Sequence, residues 1–313
     1  MPSGSGRTVW VALLADLGVG LAKVGAAAFT GSPAMASEAS HSLADTANDL
    51  FLVIAQRRSA RHPDNQHPLG YGREAYFWAL LAALGVFLAG AAFSLREGIA
   101  ELIDPVRTSS FAVVYVVLGI STVFDLVSLR QSVHQMTFLA RSANRNLLEQ
   151  SKVTSDPTLR AVLLEDAVSI SGDLLTFASL ALNQITGSSI YQGIAAVLIA
   201  LVLIRVSLRL VLRNHDFLLG QPITSIDKQR VQTFLLGYPG VTAVRQLIVT
   251  FIGPSQVWVI ARLDIDDNLR GDQVKSLVSG IESALKLQSK DVYRVDIVPI
   301  GGPDVAAPVG CLS

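Results

Sequence analysis

The stretch of sequence that decides the fold is SEASHSLADTANDLFLVIAQRR, residues 37–58. Among its alanines, leucines and other apolar residues it carries Glu38, His41, Asp45, Asn48 and Asp49. On an α-helix, His41 and Asp45 lie about 40° apart on one face, and Asn48 continues that face. The stretch therefore predicts a mostly apolar helix with one polar stripe.

The composition indicates that the solvent around this helix is a lipid bilayer. Half of the residues (50%) are hydrophobic and only 16% are charged, against about 25% charged in soluble domains. A helix needs about 20 apolar residues to cross a membrane. The sequence predicts six such spans, near residues 8–30, 34–56, 75–95, 110–130, 159–182 and 189–212. The first window is too long for a signal peptide, so we expect it to stay in the mature protein.

The loop charges predict the orientation, because Lys and Arg favour the cytoplasmic side of a membrane. The loops after the second and fourth spans are rich in Arg and Lys, whereas the loops after the first and fifth spans carry neither. Both termini are therefore predicted to be cytoplasmic. The net charge is zero and the single cysteine is Cys311, so we expect neither nucleic-acid binding nor a disulfide framework.

The region after the last span has the pattern of a soluble domain. It predicts a helix at 224–237, the strands VRQLIVTFI and QVWVIARLDID, a helix at 270–287 and the strand VYRVDIVPI. The predicted fold is thus a membrane α-helical protein followed by a cytoplasmic α+β domain (α-β-β-α-β, ferredoxin- or metallochaperone-like). The predicted parts are a transport domain at 1–213, the α+β domain at 214–300 and a disordered tail at 301–313.

Several ionisable residues fall inside the predicted spans, where they are costly and usually face a cavity or a partner. His41 and Asp45 lie in the second span, and Glu165, Asp166 and Asp173 lie in the fifth within an arc of about 100°. Carboxylates this close repel each other unless protons or a cation neutralise them. The pattern predicts a divalent metal that exchanges with protons, while permanently protonated, hydrogen-bonded carboxyls remain the alternative.

Other buried charges favour a structural interpretation. Asp16 and Lys23 in the first span are seven residues apart and share a face, as a structural pair would, although a lysine reaching the membrane surface is also possible. Asp125 in the fourth span fits a polar contact between helices. The imidazole and carboxylates of the second and fifth spans suit Zn²⁺ or another first-row divalent ion and not Cu(I).

Two runs, SPAMASEASHSLADTANDLFL and DNQHPLGYGREAYFWALLAALGVFL, resemble the second and third spans of the cation diffusion facilitator family. The fifth-span run DPTLRAVLLED and the α+β end follow in the family's order. The resemblance implies a homodimeric six-span transporter that exports a divalent metal in exchange for protons and has no resident cofactor. It also implies that two residues of the second span and two of the fifth bind the metal.

Carried over by position, the family's second-span pair is His41 and Asp45. In the fifth span Glu165 stands at the usual histidine position and Ser169 at the aspartate position, as in the subgroup that includes mitochondrial-type zinc transporters. The resemblance makes Glu165 the first choice of ligand, with Asp166 and Asp173 as neighbours that replace the missing carboxylate. Zn²⁺ is expected first, and Mn²⁺, Fe²⁺, Co²⁺ and Cd²⁺ remain open.

The resemblance also implies a possible second metal site in the loop before the third span, at Asp64 and His67. Tyr71 stands where a third ligand is expected; His62 is a possible substitute, and a weak or absent site is at least an equal alternative. The chain has no histidine after His215, and we expect the cytoplasmic domain to pair two protomers without a metal cluster.

Two other functions compete with metal/proton antiport by alternating access. One is an intramembrane metal-dependent hydrolase using His41, Asp45 and Glu165, although the sequence has neither an H-E-x-x-H nor a G-x-S-x-G motif. The other is a metal sensor that does not transport. We expect no enzyme activity, and the Ala-rich, Arg-over-Lys composition favours a bacterial inner membrane.

Overall fold

The computed structural model describes residues 5–105, 110–142, 145–289 and 291–300. The chain divides into two compact units, residues 1–219 and 220–313. Each unit has its own core, and each is described separately.

The first unit is helical, and each of the six predicted spans coincides, to within one residue at its start, with part of one long helix or continuous helical run. Its elements are α1 (Ser5–Thr30), α2 (Pro33–Ser59), α3 (Glu74–Ala82), a π-helical turn (Ala83–Phe87), α4 (Leu88–Ile103), α5 (Phe111–Ser142), α6 (Leu147–Val153), α7 (Pro157–Thr186) and α8 (Ile190–Leu219). Helix α3, the π-turn and α4 form one continuous run. The predicted membrane α-helical fold is confirmed, and α8 continues to Leu219, beyond residue 212, where the sequence places the end of the last span.

Within the described residues, three helical runs are long and apolar enough to cross a membrane by length and composition alone: Glu74–Ile103, Phe111–Arg141 and Ile190–Leu219. Helices α2 and α7 have similar lengths, 27 and 30 residues, but carry the ionisable side chains. Helix α2 contacts α1, α3, α4, α7 and α8. Helix α2 therefore packs against two apolar runs, α3–α4 and α8, and against the other polar helix, α7, as expected for charges that face partners inside a membrane.

The two polar helices begin at defined caps. The Ser32 hydroxyl accepts from the backbone N–H of Met35 at the start of α2, and the Asp156 carboxylate accepts from two backbone N–H groups at the start of α7. A proline follows each cap, where its missing N–H costs nothing. At its other end α7 stops at Gly187, whose φ of 72° favours glycine.

The second unit has the predicted α-β-β-α-β order: α9 (Ser225–Leu236), β1 (Val241–Gly253), β2 (Gln256–Ile265), α10 (Gly271–Gln288) and β3 (Val292–Ile300). Strand β2 is central, antiparallel to β1 and parallel to β3. Alternate residues of β2 enter the core, from Val257 to Leu263, where they join Ile281 and Leu285 of α10. The predicted tail at 301–313 lies outside the described residues.

Candidate metal centre

One group of polar residues joins the middle of α2 to α7; we call His41, Asp45, Asn48 and Glu165 the histidine cluster. The His41 side chain is fully buried, and its Nε2 lies 3.3 Å from Oδ2 of Asp45, whose side chain is 18% exposed. Among the described residues, neither ring nitrogen of His41 nor Oδ1 of Asp45 has a hydrogen-bond partner. Buried polar atoms normally have a hydrogen-bond partner. The His41–Asp45 pair therefore has nitrogen and oxygen atoms available to bind a cation.

Glu165 approaches the same region from α7. The Asn48 amide, one turn beyond Asp45, donates a hydrogen bond to Oε1 of Glu165. The carboxylates of Asp45 and Asp49 are close enough to Glu165 to interact with it electrostatically. No three His, Cys, Asp or Glu side chains converge into a ready metal site within the part of the chain that the structure describes. The predicted ligands His41, Asp45 and Glu165 are thus brought near one another without closing around an ion.

Asp166 turns towards α5 instead. Its Oδ2 accepts hydrogen bonds from the Ser128 hydroxyl at 3.0 Å and the Ser132 hydroxyl at 3.1 Å. Neighbouring residues on a helix point about 100° apart, so Asp166 faces a different helix from Glu165. A second contact of the same kind joins Ser169 to Oδ2 of Asp125 at 2.6 Å, which is the helix contact expected for Asp125.

Asp173 belongs to a second group, the lysine cluster, formed by Lys23, Glu38, Thr122 and Asp173. The Lys23 ammonium lies 3.1 Å from Oε2 of Glu38 and 3.1 Å from Oδ1 of Asp173, and all three side chains are fully buried. The Thr122 hydroxyl donates to Oδ2 of Asp173 at 2.7 Å. Asp173 lies eight residues, about 12 Å, along α7 from Glu165. The structure therefore does not place it beside the predicted ligands.

The expected pairing of Asp16 with Lys23 is not what the structure shows. Asp16 and Lys23 are seven residues apart, which separates them by about 10 Å along the helix axis. Lys23 instead pairs with residues of other helices, and Asp16 shares a hydrogen bond with Asp49 of α2. Gly172 permits the close packing around Lys23, because a Cβ at this position would overlap the Glu38 carboxylate.

These contacts also show that α2 and α7 run in opposite directions. Glu38, near the start of α2, is linked through Lys23 to Asp173 in the middle of α7, whereas Asn48 in the later half of α2 meets Glu165 near the start of α7. Under the predicted orientation, the lysine cluster lies on the extracytoplasmic side of the histidine cluster.

The loop residues Asp64, His67 and Tyr71 do come together, but mainly as a hydrogen-bonded turn. Oδ1 of Asp64 accepts from the backbone N–H groups of Gln66 at 3.0 Å and His67 at 2.7 Å. Oδ2 accepts from the Tyr71 hydroxyl at 2.6 Å. The hydrogen bond from Tyr71 lowers the pKa of Asp64 below its ordinary value and raises the pKa of Tyr71. Both oxygens of the candidate ligand are already in use.

Two features of the site were not predicted. The sequence marks Glu38 as polar but gives it no partner; its position three residues before His41, together with a lysine in the first span, is the signal that points to it. Arg160, which the sequence counts among the basic residues between the fourth and fifth spans, is buried. It donates a hydrogen bond to Oδ1 of Asn214 at 2.8 Å, and its guanidinium lies 5.3 Å from the Phe217 ring centroid. It joins α7 to the C-terminal end of α8.

Comparison with known families agrees with this architecture. Residues 9–219 match the model of the cation efflux transmembrane domain. The chain therefore belongs to the cation efflux, or cation diffusion facilitator, family and is an integral membrane protein.

Similar proteins are found in animals, plants and bacteria. The chain is 31% identical over 263 residues to the proton-coupled zinc antiporter SLC30A9, mitochondrial, of Xenopus laevis, covering 84% of this chain and 47% of the relative. It is 28% identical over 265 residues to metal tolerance protein C4 of Arabidopsis thaliana (85% and 58%) and 24% identical over 268 residues to the cation-efflux pump FieF of Klebsiella pneumoniae (85% and 82%). The chain spans about half the length of the animal relatives.

Proposed function

We propose that this protein exports a divalent metal ion, Zn²⁺ first among the candidates, from the cytoplasm in exchange for protons. The observation that carries the proposal is the histidine cluster: a buried imidazole without a hydrogen-bond partner in the described structure, beside the partly exposed carboxylate of Asp45. Family membership supports a transport activity, and the Xenopus relative is named a proton-coupled zinc antiporter.

We assign His41, Asp45 and Glu165 as the metal ligands. Together they provide one nitrogen donor and two carboxylates, which suits zinc in a site that keeps an open position. Binding requires Glu165 to exchange its hydrogen bond from Asn48 for the ion, so Asn48 holds this carboxylate ready when the metal is absent. Asp166, held by two serines, is the reserve carboxylate, and Asp173 is committed to Lys23.

The types of residue in the proposed site couple the binding of metal to the release of protons. A metal binds neutral imidazole and ionised carboxylate, so its arrival displaces protons and their return releases it. In the alternating-access scheme, metal enters from the cytoplasm, the helices rearrange to open the site outward, and protons from outside reload it. The proton gradient then drives metal export.

The assembly and location proposed for the chain extend the same scheme. Two protomers pair through the cytoplasmic α+β domain, with both termini in the cytoplasm, and the composition favours a bacterial inner membrane. We propose transport without catalysis, because the candidate centre lies among membrane helices of a transport family and His41 and Asp45 suffice with Glu165 to bind an ion. A sensor that binds without moving metal is separated from a transporter by a flux assay.

The test is a proton-flux measurement in liposomes with a panel of divalent metals. The wild type is compared with Asp45→Ala and Glu165→Ala, and Asp272→Ala on α10 serves as a control for loss of a carboxylate elsewhere. We expect metal-selective proton flux in the wild type and the control and none in the two site variants. Metal binding without flux for any metal would contradict antiport and favour the sensor.

A further inference from the structure

Helix α8 carries three arginines, Arg205, Arg209 and Arg213, at intervals of four residues. At this spacing each successive side chain is displaced by only about 40°, so the three guanidinium groups follow one face over about 12 Å. Arg205 and Arg209 lie inside the predicted span 189–212. We call this surface the arginine face.

The arginine face lies on the exposed side of α8, opposite the side that packs against the other helices. Leu201, Leu208 and Leu212 are between 51% and 65% exposed, and they line, with the three arginines, a depression of about 540 Å³. On the other side of the helix Leu203 is fully buried and the Ser207 hydroxyl donates to the carbonyl of Ala83 at 2.7 Å. Exposed leucines on a membrane helix meet lipid chains, so the arginine face meets the bilayer.

Two of these arginines have no polar partner among the residues that the structure describes. Arg213 is held by the carbonyl of Lys152 and lies 5.2 Å over the ring of Phe217. Arg205 and Arg209, by contrast, make no hydrogen bond or ion pair with any described residue, and the only acid lining the depression is Asp216 at its cytoplasmic rim. A guanidinium at a lipid-facing position is costly unless an anion compensates it.

We propose that the arginine face binds the phosphate groups of anionic phospholipids in the cytoplasmic leaflet. The planar guanidinium pairs with two phosphate oxygens at once, while the exposed leucines contact the acyl chains of the same lipids. Basic pockets on the cytoplasmic side of membrane helices recognise anionic headgroups in this way.

Charge complementarity favours a lipid over a second copy of the chain on this surface. A two-fold interface places the same patch of both protomers face to face, and here arginines would meet arginines. Anionic lipid brings the opposite charge.

The test uses the full chain, reconstituted with equal amounts of phosphatidylglycerol and phosphatidylcholine, and native mass spectrometry to count the lipids that it retains. The key variant is Arg205→Gln/Arg209→Gln. Its matched control is Arg130→Gln/Arg141→Gln, which removes two exposed arginines from α5. The key variant removes two guanidinium groups that line one depression, and each is worth roughly a fivefold gain in binding, so we expect about a 25-fold loss of phosphatidylglycerol retention. The two arginines of the control lie about 16 Å apart along α5, too far apart to hold one headgroup together, so we expect little change in the control.

Rescue and competition complete the test. Arg205→Lys/Arg209→Lys keeps the charge and is expected to recover part of the retention, which separates lost binding from a damaged fold. Inorganic phosphate at millimolar concentration is expected to displace none of the lipid. The proposal is overturned by equal retention of the two lipids, by an equal loss in the α5 control, or by displacement with free phosphate. Disulfide dimers formed by Leu208→Cys in a Cys311→Ser background would likewise overturn it, since a second copy would then cover the face.

Discussion

The lysine cluster and the histidine cluster lie only about one helical turn apart along α2, yet their polar atoms are satisfied differently. In the first, the Lys23 ammonium bridges two carboxylates and Thr122 adds a hydrogen bond; only Oε1 of Glu38 lacks a partner among the described residues. In the histidine cluster, both ring nitrogens of His41 and Oδ1 of Asp45 lack a hydrogen-bond partner among the described residues. Buried charges are normally paired, so the contrast supports the proposal that the lysine cluster is a permanent contact and that an exchangeable cation completes the histidine cluster.

The comparison also shows two solutions to one physical problem. Carboxylates inside a membrane need positive charge nearby. Lys23 provides it permanently in the lysine cluster, tying α1, α2 and α7 together. Under the proposed function, ions that arrive and leave supply this charge in the histidine cluster, as a carrier requires.

The largest effect is expected from removing the permanent cation. Lys23→Met leaves Glu38 and Asp173 buried without compensation, and breaking such a contact costs about 3–5 kcal/mol. The melting temperature measured in detergent should fall by roughly 10 °C. Lys23→Arg is the charge-conserving control, and the neutral triple variant Lys23→Met/Glu38→Gln/Asp173→Asn should recover most of the loss. An unchanged melting temperature for Lys23→Met would show that the lysine cluster is not the structural member of the pair.

The second prediction concerns the exchangeable site. Asp45→Asn should weaken zinc binding at least about 100-fold, more than the loss typical of an outer partner, while the melting temperature without metal stays near that of the wild type. Calorimetric titration of the purified protein measures the affinity. The control Asp166→Asn makes the same change to the carboxylate that Ser128 and Ser132 hold, and should lower zinc affinity much less. If Asp166→Asn lowered the affinity as much as Asp45→Asn, the ligand assignment would move to Asp166.

A smaller effect is expected at the residue that holds Glu165. Asn48→Ala removes the hydrogen bond that positions this carboxylate and should lower zinc affinity about 10–100-fold. Ser128→Ala, which removes a hydrogen bond from Asp166, is the matched control. Equal affinities for the two variants in the same titration would show that Asn48 does not position a ligand.

The smallest effect is expected in the exposed loop. The Asp64 pKa is lowered in the folded protein by the hydrogen bond from Tyr71, so the stabilisation is present above the unfolded pKa of about 3.9 and is lost as pH falls through the lower folded value. Tyr71→Phe should raise the Asp64 pKa towards its ordinary value. A pH titration followed by carboxyl ¹³C NMR measures the Asp64 pKa, and the Asp64→Asn variant identifies the Asp64 signal by its loss.

The same loop tests whether a second metal site exists. Because the oxygens of Asp64 are occupied by Tyr71 and backbone N–H groups, Asp64→Asn should leave the zinc stoichiometry unchanged. A fall in the number of bound ions would instead establish the loop site at Asp64 and His67.

The sequence predicts elements well and partners poorly, for a physical reason. Hydrophobic length and alternation are local properties, so the six helical runs and the α-β-β-α-β order were predictable, as was the proximity of His41 to Asp45 one turn later. Contacts between helices depend on rotation and tilt, which a single sequence does not contain. This is why Lys23 was paired with Asp16 on its own helix and not with Glu38 and Asp173.

The fifth span shows the same limit within one helix. Glu165, Asp166 and Asp173 share a broad face, which suggested a joint site, but a 100° arc is wide enough to meet different neighbours. In the structure the three carboxylates contact Asn48 of α2, serines of α5 and Lys23 of α1 respectively.

The most direct test of the central claim is X-ray absorption at the zinc edge of the loaded protein, compared with His41→Ala. We expect a single imidazole nitrogen among oxygen ligands, at about 2.0–2.2 Å, and its disappearance in the variant. A spectrum with sulfur, with two or more imidazoles, or unchanged in His41→Ala would contradict the assignment of the histidine cluster as the metal site.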